Sequence, residues 1–297
     1  MPITVCIAVL SKHTGALGFI GVILGDEPAL APHEGFYQRV LAGDATEAAF
    51  QAEGQLATEP LTLYYDAVPM KALALAYADA AEGRLSQEKQ EELYGTIEEV
   101  VEDLADYDDA AKPVKKAEAA TPEDEEEGGE VAAANGESGG AQKIPYPILL
   151  IPARNAVDQS ASLLLSDILS KRGLEPSLQS NAHGGRRKLS TETPQAANIV
   201  CISCFGERLL PVRYLIRRWR RLMPGARFVA CFWLNNGDSA KLDEWQKNTG
   251  ADFVAGSLHD AAHICCELAA QSVAGFKCPE PVASEAAPAG EKRPIAA

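Results

Sequence analysis

The sequence lacks an apolar run long enough to cross a bilayer. Its greasiest stretch, MPITVCIAVLSKHTGALGFIGVILGDEPAL, is two short runs split by Lys12 and His13. A spanning helix needs about 20 consecutive apolar residues, and a charge near its middle is costly. A basic start with a small-residue cleavage site is also missing from this stretch, so it is not expected to be a secretory signal. The stretch is therefore either a buried N-terminal element or the cut end of a longer span. Positive charge is scarce as well. Lys and Arg number 27 against 42 Asp and Glu, a net charge of -15 over 297 residues. Much of the acidic excess lies around Pro122–Glu127, so it describes that segment more than the folded parts. Such a balance argues against general nucleic-acid binding, which needs basic footprints to release counterions.

Several chemical signatures are absent too. The seven cysteines are odd in number and sit in apolar flanks (VCIAV, IVCISCF, VACFW). Most read as reduced core residues, and a disulfide framework is not expected. Cys201-Ile-Ser-Cys204 is a CxxC, but it falls in a strand, where positions i and i+3 point to opposite faces. No second CxxC completes a set of four metal ligands. His259 and His263 are four residues apart on a helix, but the intervening residues are Asp-Ala-Ala and no HExxH forms. The loop after the first predicted strand, Ala153–Gln159, has no glycine and offers no phosphate cradle of the dinucleotide type. No Ser-His-Asp order, nucleophile elbow or paired carboxylate motif stands out, so no catalytic mechanism is expected.

What is present divides into regions. Residues 1–25 form the greasy stub, and residues 26–107 carry helical periodicity. Phe36, Tyr37, Val40 and Leu41 recur at helical spacing, and Gly43-Asp44 stops one helix and caps the next. Pro69 marks a break or a first helical turn. Ser86 caps a segment that places Leu93, Ile97, Val100, Val101 and Leu104 on one face. Four or five helices in a small bundle follow. Residues 108–143 are rich in Glu, Ala, Gly and Pro, without large apolar side chains, and read as a disordered acidic linker. Residues 144–276 alternate apolar runs with amphipathic segments: YPILLIPA, EPSLQS, ANIVCISCF, ARFVACFWLN and ADFVAGS as strands, with helices between them. Continuous apolar strands suit a parallel sheet covered on both faces. The prediction is an α plus α/β chain whose C-terminal part is a five-stranded, doubly wound parallel sheet. The polar stretch after Ser180 is the weakest helix. Residues 277–297 read as a disordered tail. The length suits two domains, each with its own core.

In such a sheet, ligands bind at the carboxyl ends of the strands beside the switch point. Arg154, Asp158, Ser203, Asn235 and Asn236 converge there as ligand-binding candidates, although the same groups also satisfy backbone at strand ends. The segment RLLPVRYLIRRWRRLMPG holds the main basic cluster, with Arg213, Arg217, Arg220 and Arg221 on one broad face. Arg186, Arg187 and Lys188 precede the third strand. The cluster reads either as a solvated face or as a surface for anionic lipid, a phosphate-bearing ligand or the acidic linker.

Two resemblances rest on particular residues. GDATEAAF and YYDAVPMKALALAYADAAEGRLSQEKQEEL, followed by a five-stranded α/β part, are similar in layout to the cobalamin-binding module with its helical cap, a flavodoxin-like fold. That family has Asp-x-His-x-x-Gly after strand one. The matching positions here are Ala156, Asp158 and Ala161, and Ala80 stands near the cap tryptophan, so the cobalt-ligating groups are replaced. Ser203 matches a serine that the family carries after strand three. Second, PITVCIAVLSKHTGALGFIGVILGDEPALAPHEGFYQRVLAGD, with Leu63-Tyr-Tyr-Asp-Ala-Val-Pro69, resembles the stretch that leaves the last span of PerM-like permeases of the autoinducer-2 exporter family. This similarity runs from Pro2 to about Ala274, apart from the linker.

The permease resemblance implies a non-catalytic cytoplasmic accessory region of a membrane transporter, at the cytoplasmic side of the inner membrane. Its implied partners are the transporter's membrane-embedded helices, with anionic lipid or a small ligand as further candidates. No metal and no cofactor are expected on this reading. The rival expectation is a stand-alone sensor that binds cobalamin or another tetrapyrrole.

Overall fold

The computed structural model describes residues 30–107, 146–179, 197–234 and 238–273. The stub 1–25, the linker 108–143, the tail 277–297, the polar stretch 180–196 with Arg186, Arg187 and Lys188, and Asn235 with Asn236 lie outside the described residues.

Among the described residues five helices come first: α1 (Pro32–Ala42), α2 (Ala45–Leu56), α3 (Leu61–Ala67), α4 (Pro69–Ala81) and α5 (Gln87–Asp103). Their boundaries follow local chemistry. Gly43 takes φ 76°, a left-handed conformation open to glycine, and ends α1. Asp44 then accepts the Glu47 N–H at 3.1 Å and caps α2. Pro69 opens α4, where its missing N–H costs no helical hydrogen bond. Ser86 accepts the Lys89 N–H at 3.3 Å to start α5. Leu93, Ile97, Val100 and Leu104 are buried on one side, as their spacing predicts, and Val101 is half-buried.

The second part runs β1 (Pro147–Pro152), α6 (Ala156–Lys171), β2 (Glu175–Leu178), β3 (Ile199–Cys204), α7 (Leu209–Leu222), β4 (Arg227–Phe232), α8 (Ser239–Thr249), β5 (Phe253–Ala255) and α9 (Leu258–Ser272). The strands form one parallel sheet in the order β2-β1-β3-β4-β5. This is the doubly wound sheet that the alternation predicts, with its switch point between β1 and β3. Alternate residues build two separate cores. Ile148, Leu150, Cys201 and Cys231 face one way, with residues of α6 and α9 in the same apolar cluster. Leu149, Ile151, Val200, Ile202, Phe228 and Phe232 face the other way, with α7 and α8.

Two domains with separate cores do not describe this arrangement. The apolar cluster on the α6/α9 side continues through Leu61, Leu73, Leu93 and Ile97 of the helical layer. The helical layer packs directly on the α/β part, α5 and α4 along α6 and α3 on α9. Polar contacts fix the register. Tyr65 Oη donates to Asp167 Oδ2 at 2.9 Å, and Lys171 Nζ donates to the Leu104 carbonyl at 2.8 Å. Arg172, only 1% exposed, donates to Thr62 Oγ1 at 3.2 Å. Charged groups inside an interface need such partners, because an unpaired buried charge is strongly destabilising.

The CxxC sulfurs diverge as the strand geometry requires, with Cys201 in one core and Cys204 in the other. Cys201, Cys204, Cys231 and Cys265 are free and buried. Cys266 departs from the reduced reading, because it stands in a disulfide. No helix among the described residues is long and apolar enough to cross a membrane.

Candidate functional site

The carboxyl ends of β1, β3 and β4 form the switch-point edge, and the helical layer meets it through Tyr77 of α4. The Tyr77 ring stacks on Phe205, the residue after β3, with centroids 6.0 Å apart and planes 24° off parallel. Gly206 permits this approach. A Cβ at that position would stand 2.7 Å from Tyr77 Oη.

Asp158 is buried beneath this contact. Its Oδ1 accepts the Phe205 N–H at 2.9 Å and its Oδ2 accepts the Arg154 N–H at 2.9 Å. Asn155 Oδ1 accepts the Asp158 N–H at 2.9 Å, so the N-terminus of α6 is capped by the same turn. The carboxylate thus staples the loop after β1 to the loop after β3. Burial pushes its pKa up from the ordinary 3.8 to about 6, although the Phe205 and Arg154 N–H groups pull it back. Of the predicted ligand residues, Asp158 is the one whose carboxylate is already engaged on both oxygens.

Ser203 and Trp233 are different. Ser203 is 0% exposed and Trp233 is 9% exposed. Neither Ser203 Oγ nor Trp233 Nε1 has a hydrogen-bond partner among the described residues. The ladder pairs Ser203 with Cys231, and the Trp233 N–H donates to the Cys204 carbonyl at 3.2 Å. Two residues beyond Cys231, Trp233 is the diagonal neighbour of Ser203 on the same face of the sheet. Both lie on the α6/α9 face, the one the helical layer covers. A buried donor without a partner costs about 1–3 kcal/mol, and here two share one edge. Such groups call for an explanation, and a bound acceptor is one.

Two guanidinium groups flank the edge. Arg154 and Arg208 are exposed, and both act electrostatically on Tyr77. Burial raises the Tyr77 hydroxyl pKa, Cys204 and Asp158 raise it further, and the two arginines lower it. Burial also pushes the Cys204 thiol up to about 12, which leaves it without thiolate character. On the far side of the helical contact, Asp66 caps α9. It accepts the Leu258 N–H at 2.8 Å and the His259 N–H at 3.0 Å. Burial raises its pKa to about 6 against these two hydrogen bonds, with Asp260 adding to the rise.

Arg154, Asp158 and Ser203 therefore come together at one edge, as the sequence predicts. Asn235 and Asn236 lie outside the described residues. Sequence reasoning missed Trp233, Arg208, Tyr77, Gly206 and Asp66. Trp233 was findable, since it shares the strand parity of Cys231 at a carboxyl end. Tyr77 and Asp66 were not, because only the packing of the helical layer brings them here.

The basic face of α7 also differs in detail from its prediction. Arg213, Arg217 and Arg221 are exposed, but Arg220 is tied to Asp252 at 3.0 Å and lies over the Phe228 ring, 4.9 Å from its centroid. Arg220 turns toward the flank of the helix, where the start of β5 is within reach. Arg218 joins the outer face instead. His263 is exposed, 3.7 Å from Glu267, and no group of three metal-ligating side chains occurs among the described residues.

No family model matches the chain, and no curated protein matches it in sequence. The permease resemblance therefore has no family model behind it. Among solved structures, the chain is similar to a novel cobalamin-binding protein from Desulfitobacterium hafniense DCB-2, at 9% identity and a TM-score of 0.31. The alignment covers 80% of this chain and 99% of that one. The fold class itself rests on what the chain shows: a layer of helices on a five-stranded parallel sheet in the order β2-β1-β3-β4-β5.

Proposed function

We propose that this chain is a non-catalytic, ligand-responsive module that serves as the cytoplasmic accessory region of a membrane transporter resembling the autoinducer-2 exporter permeases. The observation that carries the ligand reading is the pair of buried, unpartnered groups, Ser203 Oγ and Trp233 Nε1, at the switch-point edge. An indole N–H only donates, and a serine hydroxyl can donate. Arg154 and Arg208 add positive charge at the rim. The ligand this set favours is a small, acceptor-rich anion, a carboxylate or a phosphate ester. Turnover is not part of the proposal, since Cys204 stays protonated and nothing nearby among the described residues activates a hydroxyl.

The transporter setting rests on the wording of the N-terminal half, and it places the module at the inner membrane's cytoplasmic side, with the spanning helices as partners. The coupling follows from the continuous core. A ligand seated beside Phe205 and Gly206 favours one packing of Tyr77 and α4 over another. Because α3, α4 and α5 share one apolar cluster with the sheet, that preference shifts the whole helical layer.

The test uses the purified full chain. Thermal shift and calorimetry with inorganic phosphate, succinate and simple phosphate esters should reveal a binder. Ser203→Ala and Trp233→Phe should each weaken it by about tenfold, the loss of one hydrogen bond to a charged group. No response to the whole panel, together with unaltered transport when this region is deleted from a full permease, would sink the proposal. A tetrapyrrole-binding sensor is the second reading, favoured by a helical layer that meets the sheet at the switch-point edge. A corrin there would have to part the Tyr77–Phe205 stack. Corrinoid or haem absorption in the purified protein would decide for it.

A further inference from the structure

The second unassigned feature is the outer face of α7, on the side of the sheet away from the helical layer. The helix has no acidic residue from Leu209 to Leu222. Its inner side is buried through Val212, Ile216 and Trp219. Its outer side carries Arg213, Arg217, Arg218 and Arg221, all exposed and none with an ion pair or hydrogen bond among the described residues. Three large hydrophobic side chains share that outer side: Leu210 at 77% exposure, Tyr214 at 63% and Leu222 at 63%. Among the described residues one other large hydrophobic, Phe50 at 69%, is as open, and Leu30 follows at 40%.

We infer that this face of α7 docks on an anionic lipid surface, with the helix lying in the plane of the interface. The inference is independent of the ligand site at the strand ends. Charge complementarity selects the partner. Four free guanidinium groups on a chain of net charge -15 are retained against the overall balance, and lipid phosphates supply the anions they lack. The apolar residues decide between kinds of anion. A nucleic acid would use the arginines and leave Leu210 and Leu222 in water. At a bilayer, Leu210, Tyr214 and Leu222 enter the headgroup boundary while arginine stems bend to the phosphates around them. Leu210 and Leu222 stand twelve residues apart, so the contact extends about 18 Å along the helix at 1.5 Å per residue.

Co-sedimentation of the full chain with vesicles tests this. Phosphatidylcholine vesicles containing a third phosphatidylglycerol should bind it, pure phosphatidylcholine should not, and added salt should weaken the binding. The combined change Arg217→Gln, Arg218→Gln, Arg221→Gln should weaken binding about a hundredfold, at about 1 kcal/mol per arginine near the surface. The combined change Leu210→Ser, Tyr214→Ser, Leu222→Ser should weaken vesicle binding while leaving heparin binding intact. All six positions are exposed, so the thermal midpoints should match the parent and report that the fold is kept. The N-terminal greasy stretch is the same in every variant, so any difference reports on α7 alone. Equal vesicle binding by the parent and either variant would overturn the inference. Loss of both vesicles and heparin in the arginine variant, with no effect of the serine variant, would make the face a general polyanion surface and would also overturn it.

Discussion

The two faces of the sheet are built from the same strands by alternate residues, yet they are covered to different depths. One face lies under α6 and α9 and then under the five-helix layer. Among the described residues, the other lies under α7 and α8 alone. The covering helices record the difference. Helix α6 is buried at nine positions, including Asp158, Ser160 and Ser162. Its buried serines fold back on their own helix, Ser160 onto the Ala156 carbonyl at 2.9 Å and Ser162 onto the Asp158 carbonyl at 3.0 Å. Helix α7 is buried at three positions and is charged or apolar toward water. A helix with neighbours on both sides must be small or apolar all round, and one with a single neighbour need not be. The deeper face holds the unpartnered donors, and the shallow face holds the free cations.

The largest test of this contrast uses pH. Asp66 and Asp158 both lie on the deep side, and burial raises both from 3.8 to about 6. A carboxyl whose folded pKa is raised holds its proton more tightly in the fold. Its contribution to stability is complete below about pH 4 and is lost as pH climbs to 6. Two pKa units correspond to about 3 kcal/mol per group. Urea unfolding of the parent, Asp66→Asn and Asp158→Asn at pH 4 and pH 7 should therefore show the gap between parent and variant changing by about that amount. A pH-independent gap would mean that neither carboxyl is as desolvated as the packing implies. The acidic residues elsewhere set a common background that the comparison removes.

Similar in size is the cost of a cavity. Leu165 of α6 is fully buried, and Leu165→Ala should cost about 2–5 kcal/mol. Leu222→Ala on α7 removes the same atoms from a side chain largely in water, and should stay within about 0.5 kcal/mol. Equal effects in the urea midpoint would erase the distinction between the faces.

Much of this was legible in the sequence. The five strands, their parallel pairing and most helix ends follow from apolar runs, alternation and caps at Gly43, Asp44, Pro69 and Ser86. The switch-point edge follows from the strand order, and so does the meeting of Arg154, Asp158 and Ser203. What could not be read was the second layer. The apolar stripes of α3, α4 and α5 require burial, but periodicity does not name the partner surface. A bundle with its own core satisfies the pattern as well as a layer shared with α6. The roles of Tyr77, Asp66 and Arg172 depend on that choice. The division of labour along α7 could not be read for a different reason, since Arg220 leaves the basic row for Asp252, a residue that the sheet brings within its reach.

The smallest test addresses the seam between layer and sheet at the candidate site. A methyl group at Gly206 would fall 2.7 Å from Tyr77 Oη, too close for both to stay in place. Gly206→Ala should therefore push Tyr77 off Phe205 and cost about 1 kcal/mol, the low end for overpacking. Tyr77→Phe removes the oxygen that collides and keeps the ring stack. The double variant should recover most of the loss, giving a coupling energy of about 0.5–1 kcal/mol in a double-mutant cycle. Additivity would show that the helical layer does not bear on the strand ends at this point. It would also cut the route by which a ligand beside Ser203 reaches α4, while leaving the ligand site itself and the lipid-facing helix untouched.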